Sequence, residues 1–222
     1  MIAVIHLTSI TKSVREPNGQ DRALFESLQF RLDAPARSVA ILGRSGSGKS
    51  TLLRILAGLD VSYHGNYLFN GRPLLKNTQA MARHRLDHIG FITQSYDLLD
   101  DRTVEHNVRL GVRDRQAQDT RARACLNMVK LSGYERKRPR QLSGGEAQRV
   151  AIARVIAKRP TVVLADEPTG ALDEETESSI LDLFATLQQR GATFVIATHS
   201  ERVAARCERR LILDGKTLHE LM

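Results

Sequence analysis

Short uninterrupted apolar runs alternate along the chain with longer stretches in which apolar residues recur every three or four positions. The short runs are typical of strands buried on both faces of a sheet, and the longer stretches are typical of amphipathic helices. Their alternation along one chain predicts an α/β fold. The predicted buried strands span residues 39–42, 162–165 and 194–197, and the predicted helices span 51–59 and about 174–190.

The two ends of the chain have different patterns. Residues 4–7 and 28–32 alternate apolar with polar positions, as strands with one solvated face do, and predict an antiparallel β flank. Residues 210–213 and 217–220 lie on either side of an Asp-Gly pair and predict a β-hairpin.

The middle of the chain, from about 78 to 158, is charged and helix-like, apart from the β-branched run at 89–92. The pattern as a whole predicts one domain over residues 1–222. Its α/β core comprises about 1–77 and 159–222, and a helical subdomain at about 78–158 is inserted into that core.

Composition excludes several classes of protein. With 41% hydrophobic and 26% charged residues, the 222-residue chain has the balance of a globular domain rather than of a disordered tail. No apolar run approaches the ~18 residues of a membrane span. Cys125 and Cys207 have no ligand-like spacing, which favours a reduced chain over a disulfide scaffold.

The net charge of +8 leaves two interpretations open. A basic surface suits nucleic acid or the anionic leaflet of a membrane, but it can equally be a solvated face without a partner. The densest basic run has only Tyr134 as a nearby aromatic residue and is interpreted as the surface of a loop. It consists of Arg136, Lys137, Arg138 and Arg140.

A glycine-rich segment with the pattern G-x-x-x-x-G-K-[ST] follows the strand predicted at 39–42 and precedes a predicted helix. Its glycines let successive backbone N–H groups approach phosphate oxygens, and the N-terminus of the helix favours negative charge. Lys49 can reach the β- and γ-phosphates, and Ser50 can ligate Mg²⁺. The residues predicted to bind the nucleotide are Gly43, Arg44, Ser45, Gly46, Ser47, Gly48, Lys49, Ser50 and Thr51.

Two adjacent carboxylates, Asp166 and Glu167, follow the strand predicted at 162–165. This is the carboxyl edge at which open α/β sheets bind ligands. Alone, an Asp-Glu-Pro turn is typical of a loop that caps a helix. In a chain with a phosphate-binding loop, we expect Asp166 to hold Mg²⁺ and Glu167 to orient or deprotonate the attacking water.

The segment LSGGEAQRVAIAR resembles the signature motif of the ATP-binding-cassette (ABC) ATPases nearly letter for letter. Its Ser143 and Glu146 also fit a capping box, and two glycines at a helix N-terminus form a second phosphate-binding surface. The resemblance implies that two such domains pair head to tail, so that the signature of one faces the phosphates bound by the other. The residues implied to act in trans are Leu142, Ser143, Gly144, Gly145 and Glu146.

Other motifs of the family occur in the expected order. Gln94 resembles the Q-loop glutamine, which senses the γ-phosphate and Mg²⁺ and contacts the membrane partner, and His199 resembles the switch histidine at the γ-phosphate. Ala171, Leu172 and Asp173 resemble the D-loop at the dimer interface. The resemblance implies Lys49, Gln94, Glu167 and His199 as catalytic residues, and Ser50, Gln94 and Asp166 as Mg²⁺ ligands.

The resemblance covers about residues 3 to 217, and it implies a P-loop NTPase core with an antiparallel β flank. A helical subdomain would be inserted between the Q-loop and the signature. Within the family, the segments DEPTGALD, LLRILAGLD and IGFITQSYDLL look most like the macrolide-efflux, lipoprotein-release, bacitracin-resistance and cell-division subgroup.

Membership of that subgroup implies a subunit that uses ATP and Mg²⁺, pairs as a homodimer and powers a separate integral membrane permease. Its location would be cytoplasmic, at the inner face of the cell membrane. The function would be export of peptide, lipoprotein or drug-like substrates, or mechanotransmission.

A nucleic-acid-linked ABC ATPase of the repair, chromosome or translation type is the alternative, and the basic charge favours it. The spacing from Gly43 to Leu142 disfavours it, because it leaves no room for a long coiled coil, and one cassette is present rather than two.

The chain departs from the family where an aromatic residue usually stacks on adenine. After Ile10-Thr11-Lys12 it has Ser13, Val14 and Arg15, with no aromatic nearby. Arg15 could stack its guanidinium plane on the base, or Val14 could make a thinner apolar contact.

Replacing Val14 by tyrosine tests this departure. We expect Val14→Tyr to tighten nucleotide binding, because a flat ring offers the base a larger stacking surface. Titration of the two proteins with nucleotide measures the difference. An unchanged or weaker affinity would show that the base is held elsewhere.

Overall fold

The fold is described from a computed structural model that covers residues 3–16, 19–33 and 37–221, so Met1 and Met222 of the predicted domain lie outside the described residues. The chain divides into two units, one of residues 1–88 and 193–222, and the other of residues 89–192. Within the described ranges, none of the helices combines the length and apolar character that crossing a bilayer requires.

The strands and helices follow one another in mixed order. In the first unit they are β1 (Ala3–Arg15), β2 (Asp21–Asp33), β3 (Ser38–Leu42), α1 (Lys49–Leu56), β4 (His64–Phe69), β5 (Arg72–Pro73) and α2 (Thr78–His88). The second unit contains β6 (Ile89–Ile92), α3 (Val104–Arg109), α4 (Gln118–Met128), a 3-10 turn (Pro139–Gln141), α5 (Gly144–Lys158), β7 (Val162–Asp166) and α6 (Glu174–Gln189). The chain then returns to the first unit with β8 (Thr193–Ala197), α7 (Glu201–Ala205), β9 (Arg209–Asp214) and β10 (Thr217–Glu220).

The first unit has an antiparallel sheet in the order β2-β1-β4-β5. Leu7 and Ile10 are both fully buried although they are three positions apart, which strict alternation in a strand does not allow. Ser9 resolves the conflict: its φ of +52° lies where the pairing of β1 with β2 shifts register. A bulge of this kind returns the following apolar side chains to the core face.

The same unit contains β3, which pairs in parallel with both β8 and β9, while β9 pairs antiparallel with β10. Every residue of β3 and of β8 is buried, as expected of parallel strands covered on both faces. Because the three parallel strands run in one direction, the segments that follow them emerge at one edge.

The second unit combines one parallel strand pair, β6 with β7, and a helical group in which α3, α4 and α5 pack on one another. Asn107 of α3 is fully buried and saturates its amide: its Nδ2 donates to the carbonyls of Leu99 and Thr103, and its Oδ1 accepts from the Leu99 N–H. These bonds fix the loop that precedes α3.

The predicted buried strands, the flank and the C-terminal hairpin are confirmed. Both flank strands are longer than predicted, since bulges carry them past the end of strict alternation. The helix predicted at 51–59 begins earlier, at Lys49, because Gly48 adopts the N-cap position. β4 was not predicted, since Gly65 and Asn66 give it weak strand propensity.

Gly111 offers a test of the packing in the second unit. A Cβ at this position would meet the backbone carbonyl oxygen of Arg154 at 2.1 Å, which forces the loop and α5 apart. We expect Gly111→Ala to lower the free energy of unfolding by about 1–3 kcal/mol. Gly170→Ala is the matched control, because a Cβ there makes only ordinary contacts beyond 3.6 Å. Equal urea midpoints for the two variants would contradict the close approach.

Candidate active site

The P-loop (43–50) connects β3 to α1 and depends on two glycines at positive φ, a conformation that other residues rarely adopt. Gly43 has a φ of +152°, and a Cβ there would lie 2.7 Å from the Leu213 carbonyl oxygen. Gly48 has a φ of +106°, and a Cβ there would lie 2.8 Å from the ring of Phe25. The backbone therefore passes where no side chain fits, and this lets its N–H groups converge on one point.

Lys49 is buried, and its ammonium contacts the backbone of the P-loop. Its Nζ donates to the carbonyl of Gly43 at 2.6 Å and to that of Arg44 at 3.1 Å. Within the described chain, the buried hydroxyl of Ser47 has no hydrogen-bond partner. A fixed cation beside an unpaired buried hydroxyl fits an oxygen-rich anion such as a phosphate chain. The other P-loop residues, Ser45, Gly46 and Ser50, are exposed at the loop.

His199 lies at the same edge of the parallel strands as the P-loop. Ile41 pairs with Ala197, and the Thr198 N–H donates to the Ile41 carbonyl at 3.1 Å, so β8 ends level with β3. His199 follows as an exposed residue, and Ser200 begins α7 as its N-cap. The first unit thus contains the P-loop and the predicted switch histidine.

Gln94, Asp166 and Glu167 belong to the second unit. Ile92 pairs with Ala165 in the parallel ladder of β6 and β7, so the residues that follow both strands emerge at one edge. Gln94 is exposed, whereas both carboxylate residues are half-buried.

The Q-loop around Gln94 is held by polar contacts on both sides. The hydroxyls of Thr93 and Ser95 donate to the carboxylate of Asp97, and the Thr93 bond is the main reason that the pKa of Asp97 is lowered. Arg154 of α5 donates to the carbonyls of Tyr96 and Asp97 at 2.8 and 2.6 Å. Tyr96 and Asp97 both have positive φ, a costly conformation that these bonds maintain.

Glu167 is also in a strained conformation, with a φ of +48°. Gln148 of α5 is buried and joins two loops: its Nε2 donates to the Glu167 carbonyl at 2.9 Å, and its Oε1 accepts from the Ala171 N–H at 3.3 Å. One amide therefore fixes the backbone of the proposed base and of the D-loop.

The signature begins α5 with a complete capping box. The Ser143 hydroxyl accepts from the Glu146 N–H at 3.2 Å, and the Glu146 carboxylate accepts from the Ser143 N–H at 2.7 Å. The second of these bonds is the largest cause of the lowered pKa of Glu146. Gly144 is exposed, and a Cβ at Gly145 would meet the Ala171 carbonyl oxygen at 3.1 Å.

The D-loop therefore packs on the signature within one unit. Leu172 is half-buried beside Gly145, and Ala171 is bonded to α5 as described. Asp173 caps α6: its carboxylate accepts from the Thr176 N–H at 2.9 Å, which is the main reason that its pKa is lowered.

Comparison with known proteins identifies the fold family. Residues 25–170 match the family model described as ABC transporter. The chain belongs to the ABC transporter family. It is therefore the ATPase domain of an ATP-binding cassette.

Two solved structures and two curated relatives show how far the similarity extends. The chain is 33% identical to the cassette in "Dimeric Structure of MJ0796, a Bacterial ABC Transporter Cassette", with a TM-score of 0.89 and coverage of 98% of this chain and 99% of that one. A post-hydrolysis state of the same cassette, bound to ADP and Pi, is 32% identical at a TM-score of 0.89, with the same coverage.

The curated relatives are much longer than this chain. The macrolide export ATP-binding/permease protein MacB of Salmonella choleraesuis (strain SC-B67) is 40% identical over 99% of this chain. The probable export ATP-binding/permease protein Pfl01_2215 of Pseudomonas fluorescens (strain Pf0-1) is 39% identical over 98%. This ABC cassette spans 34% of the length of each.

Gln148 and Arg154 bond to the backbones of functional loops, a role that the sequence did not predict. Both lie inside the signature helix, and Gln148 occupies the buried stripe that continues through Ala151, Ile152 and Val155. A polar residue within an apolar helical stripe is the signal that could have revealed Gln148, since buried polar groups need fixed partners.

Replacing Gln148 by leucine keeps its volume and removes both of its bonds. We expect Gln148→Leu to lower kcat for ATP by about ten- to a hundredfold with KM little changed, because the Glu167 backbone loses its support. Gln189→Leu, at the exposed end of α6, is the control. Steady-state ATPase assays separate the two constants, and an unaltered kcat in Gln148→Leu would rule out the positioning role.

Proposed function

We propose that this cassette hydrolyses ATP to drive a membrane permease in export or extrusion of peptide, lipoprotein or drug-like substrates, or in mechanotransmission. The observation that carries the proposal is the geometry of the P-loop. There the Lys49 ammonium is held by hydrogen bonds to two backbone carbonyls, and the buried Ser47 hydroxyl has no partner within the described chain. Relatives whose names combine an export ATP-binding part with a permease support the direction and the partner.

The proposed roles divide among the loops. Lys49 and the P-loop N–H groups bind the phosphates, and His199 contacts the γ-phosphate. Glu167 acts as the general base, with its backbone held by Gln148. Ser50, Gln94 and Asp166 are the proposed Mg²⁺ ligands, and the ion, when bound, neutralises phosphate charge.

We also propose a head-to-tail homodimer in which the signature acts in trans. Ser143 and Gly144 are exposed at the start of the 15-residue helix α5, whose N-terminus favours an anion. The dimeric cassette structures named above support this arrangement. Through the permease, the dimer would sit at the inner face of the cell membrane.

Removing the proposed base gives a direct test. We expect Glu167→Gln to retain ATP binding and to lose turnover by about a hundredfold or more. It should accumulate as a dimer, because the dimer opens only after hydrolysis and the bound ATP stays intact. ATPase assays and size-exclusion chromatography with Mg·ATP measure the three properties. Glu175→Gln, an exposed residue of α6, is the control. Sustained wild-type turnover in Glu167→Gln would remove Glu167 from the role.

The same variant tests the partner. Glu167→Gln, tagged and captured from detergent-solubilised membranes with Mg·ATP, is expected to bring an integral membrane permease with it, identified by mass spectrometry. Recovery of nucleic acid or ribosomes without a membrane protein would contradict the transport proposal while leaving the ATPase site intact.

A further inference from the structure

A cavity of about 310 Å³ adjoins the P-loop within the first unit. It is lined by residues 22–24 of β2, 44–47 of the P-loop and 213–216 at the turn between β9 and β10. Its volume is within the range of small-molecule sites, and its position continues the phosphate-binding loop toward the β1–β2 hairpin. A nucleotide whose phosphates occupy the P-loop could extend its base in this direction.

The lining of this cavity has an unusual chemistry for a base site. Of the described residues that form it, none is aromatic, and the charged members are Arg22, Arg44, Asp214 and Lys216. Val14 and Arg15, the two residues suggested by sequence for contact with the base, do not line it. The stacking surface must therefore come from a different residue if the base enters the cavity.

Arg22 has the position and the support that a stacking residue needs. It pairs directly with Val14 across β1 and β2, so the two side chains are on the same face of the sheet. Its Nε lies 2.8 Å from Oε1 of Glu16, and this ion pair restrains the guanidinium plane although half of the side chain is exposed. Guanidinium planes stack on nucleobases in much the same way as aromatic rings.

We infer that Arg22 is the residue on which the nucleobase stacks, and that base selectivity is consequently weak. Stacking on a flat cation depends little on the identity of the base, since every base has a π-face. This inference rests on the proposed function, because it needs the phosphates in the P-loop.

The experiment compares ligands that share phosphates but differ in the base. The full chain is titrated calorimetrically with ADP, GDP and pyrophosphate in the presence of Mg²⁺, so that no turnover complicates the affinities. We expect Arg22→Ala to weaken ADP and GDP by about three- to tenfold and pyrophosphate by less than about twofold. Arg15→Ala, an exposed arginine of the neighbouring strand outside the cavity, is expected to change none of them.

A second variant tests whether Arg22→Ala loses affinity because it loses the stacking surface or because its structure is disturbed. Adding Val14→Tyr to Arg22→Ala provides a new flat surface on the same face, and we expect it to recover the affinity for ADP without changing that for pyrophosphate. Thermal melting of each variant shows whether it is folded.

The outcomes separate the two proposals. Unchanged ADP affinity in Arg22→Ala, or an equal loss for pyrophosphate, would overturn the stacking role, since the second result places the guanidinium on the phosphates. Binding of ADP more than about tenfold tighter than GDP by the wild type would overturn weak selectivity. Absence of binding of both ADP and pyrophosphate by the wild type would overturn the proposed function and this inference together.

Discussion

The parallel pairing of β3 with β8 and β9 is the constraint on which the nucleotide site of the first unit depends. Hydrogen bonds between these strands bring Gly43, Thr198 and the turn after Leu213 to one edge, although they are distant in the sequence. The contact is close enough that a side chain at Gly43 would collide with the Leu213 carbonyl. A displacement of β9 would therefore change the shape of the P-loop, and the cavity beside it would change as well.

In the second unit, buried and half-buried polar side chains hold the loops in place. Gln148, Arg154 and Asn107 each donate to backbone carbonyls of loops, and several of those loop residues have positive φ. Such conformations cost on the order of 1–3 kcal/mol each and persist only where the surroundings determine them. The signature helix α5 supplies two of these three side chains, so it holds both the Q-loop and the Glu167 backbone in place.

These strained loops belong to a domain of the ABC transporter family. A nucleotide-driven cassette needs side chains that stay in register with a phosphate chain, and rigid loops at strand ends provide this more reliably than flexible ones. The relatives carry a cassette of this kind within chains about three times as long, so the present chain corresponds to their ATP-binding part. Arg22 and Arg44 place some of the basic charge beside the proposed nucleotide.

By itself, the sequence determined the buried strands, the antiparallel flank, the C-terminal hairpin, two of the helices and the family, because periodicity reports burial and the motifs have fixed spacing. It also located the P-loop, the acidic pair and the signature. It did not reveal the bulge at Ser9, the joint support of Glu167 and Ala171 by Gln148, or the cavity next to Arg22. Each of these depends on which distant backbone groups meet, as with Val14 and Arg22 across two paired strands. Local patterns cannot encode such pairings, since register is decided only when the strands pack.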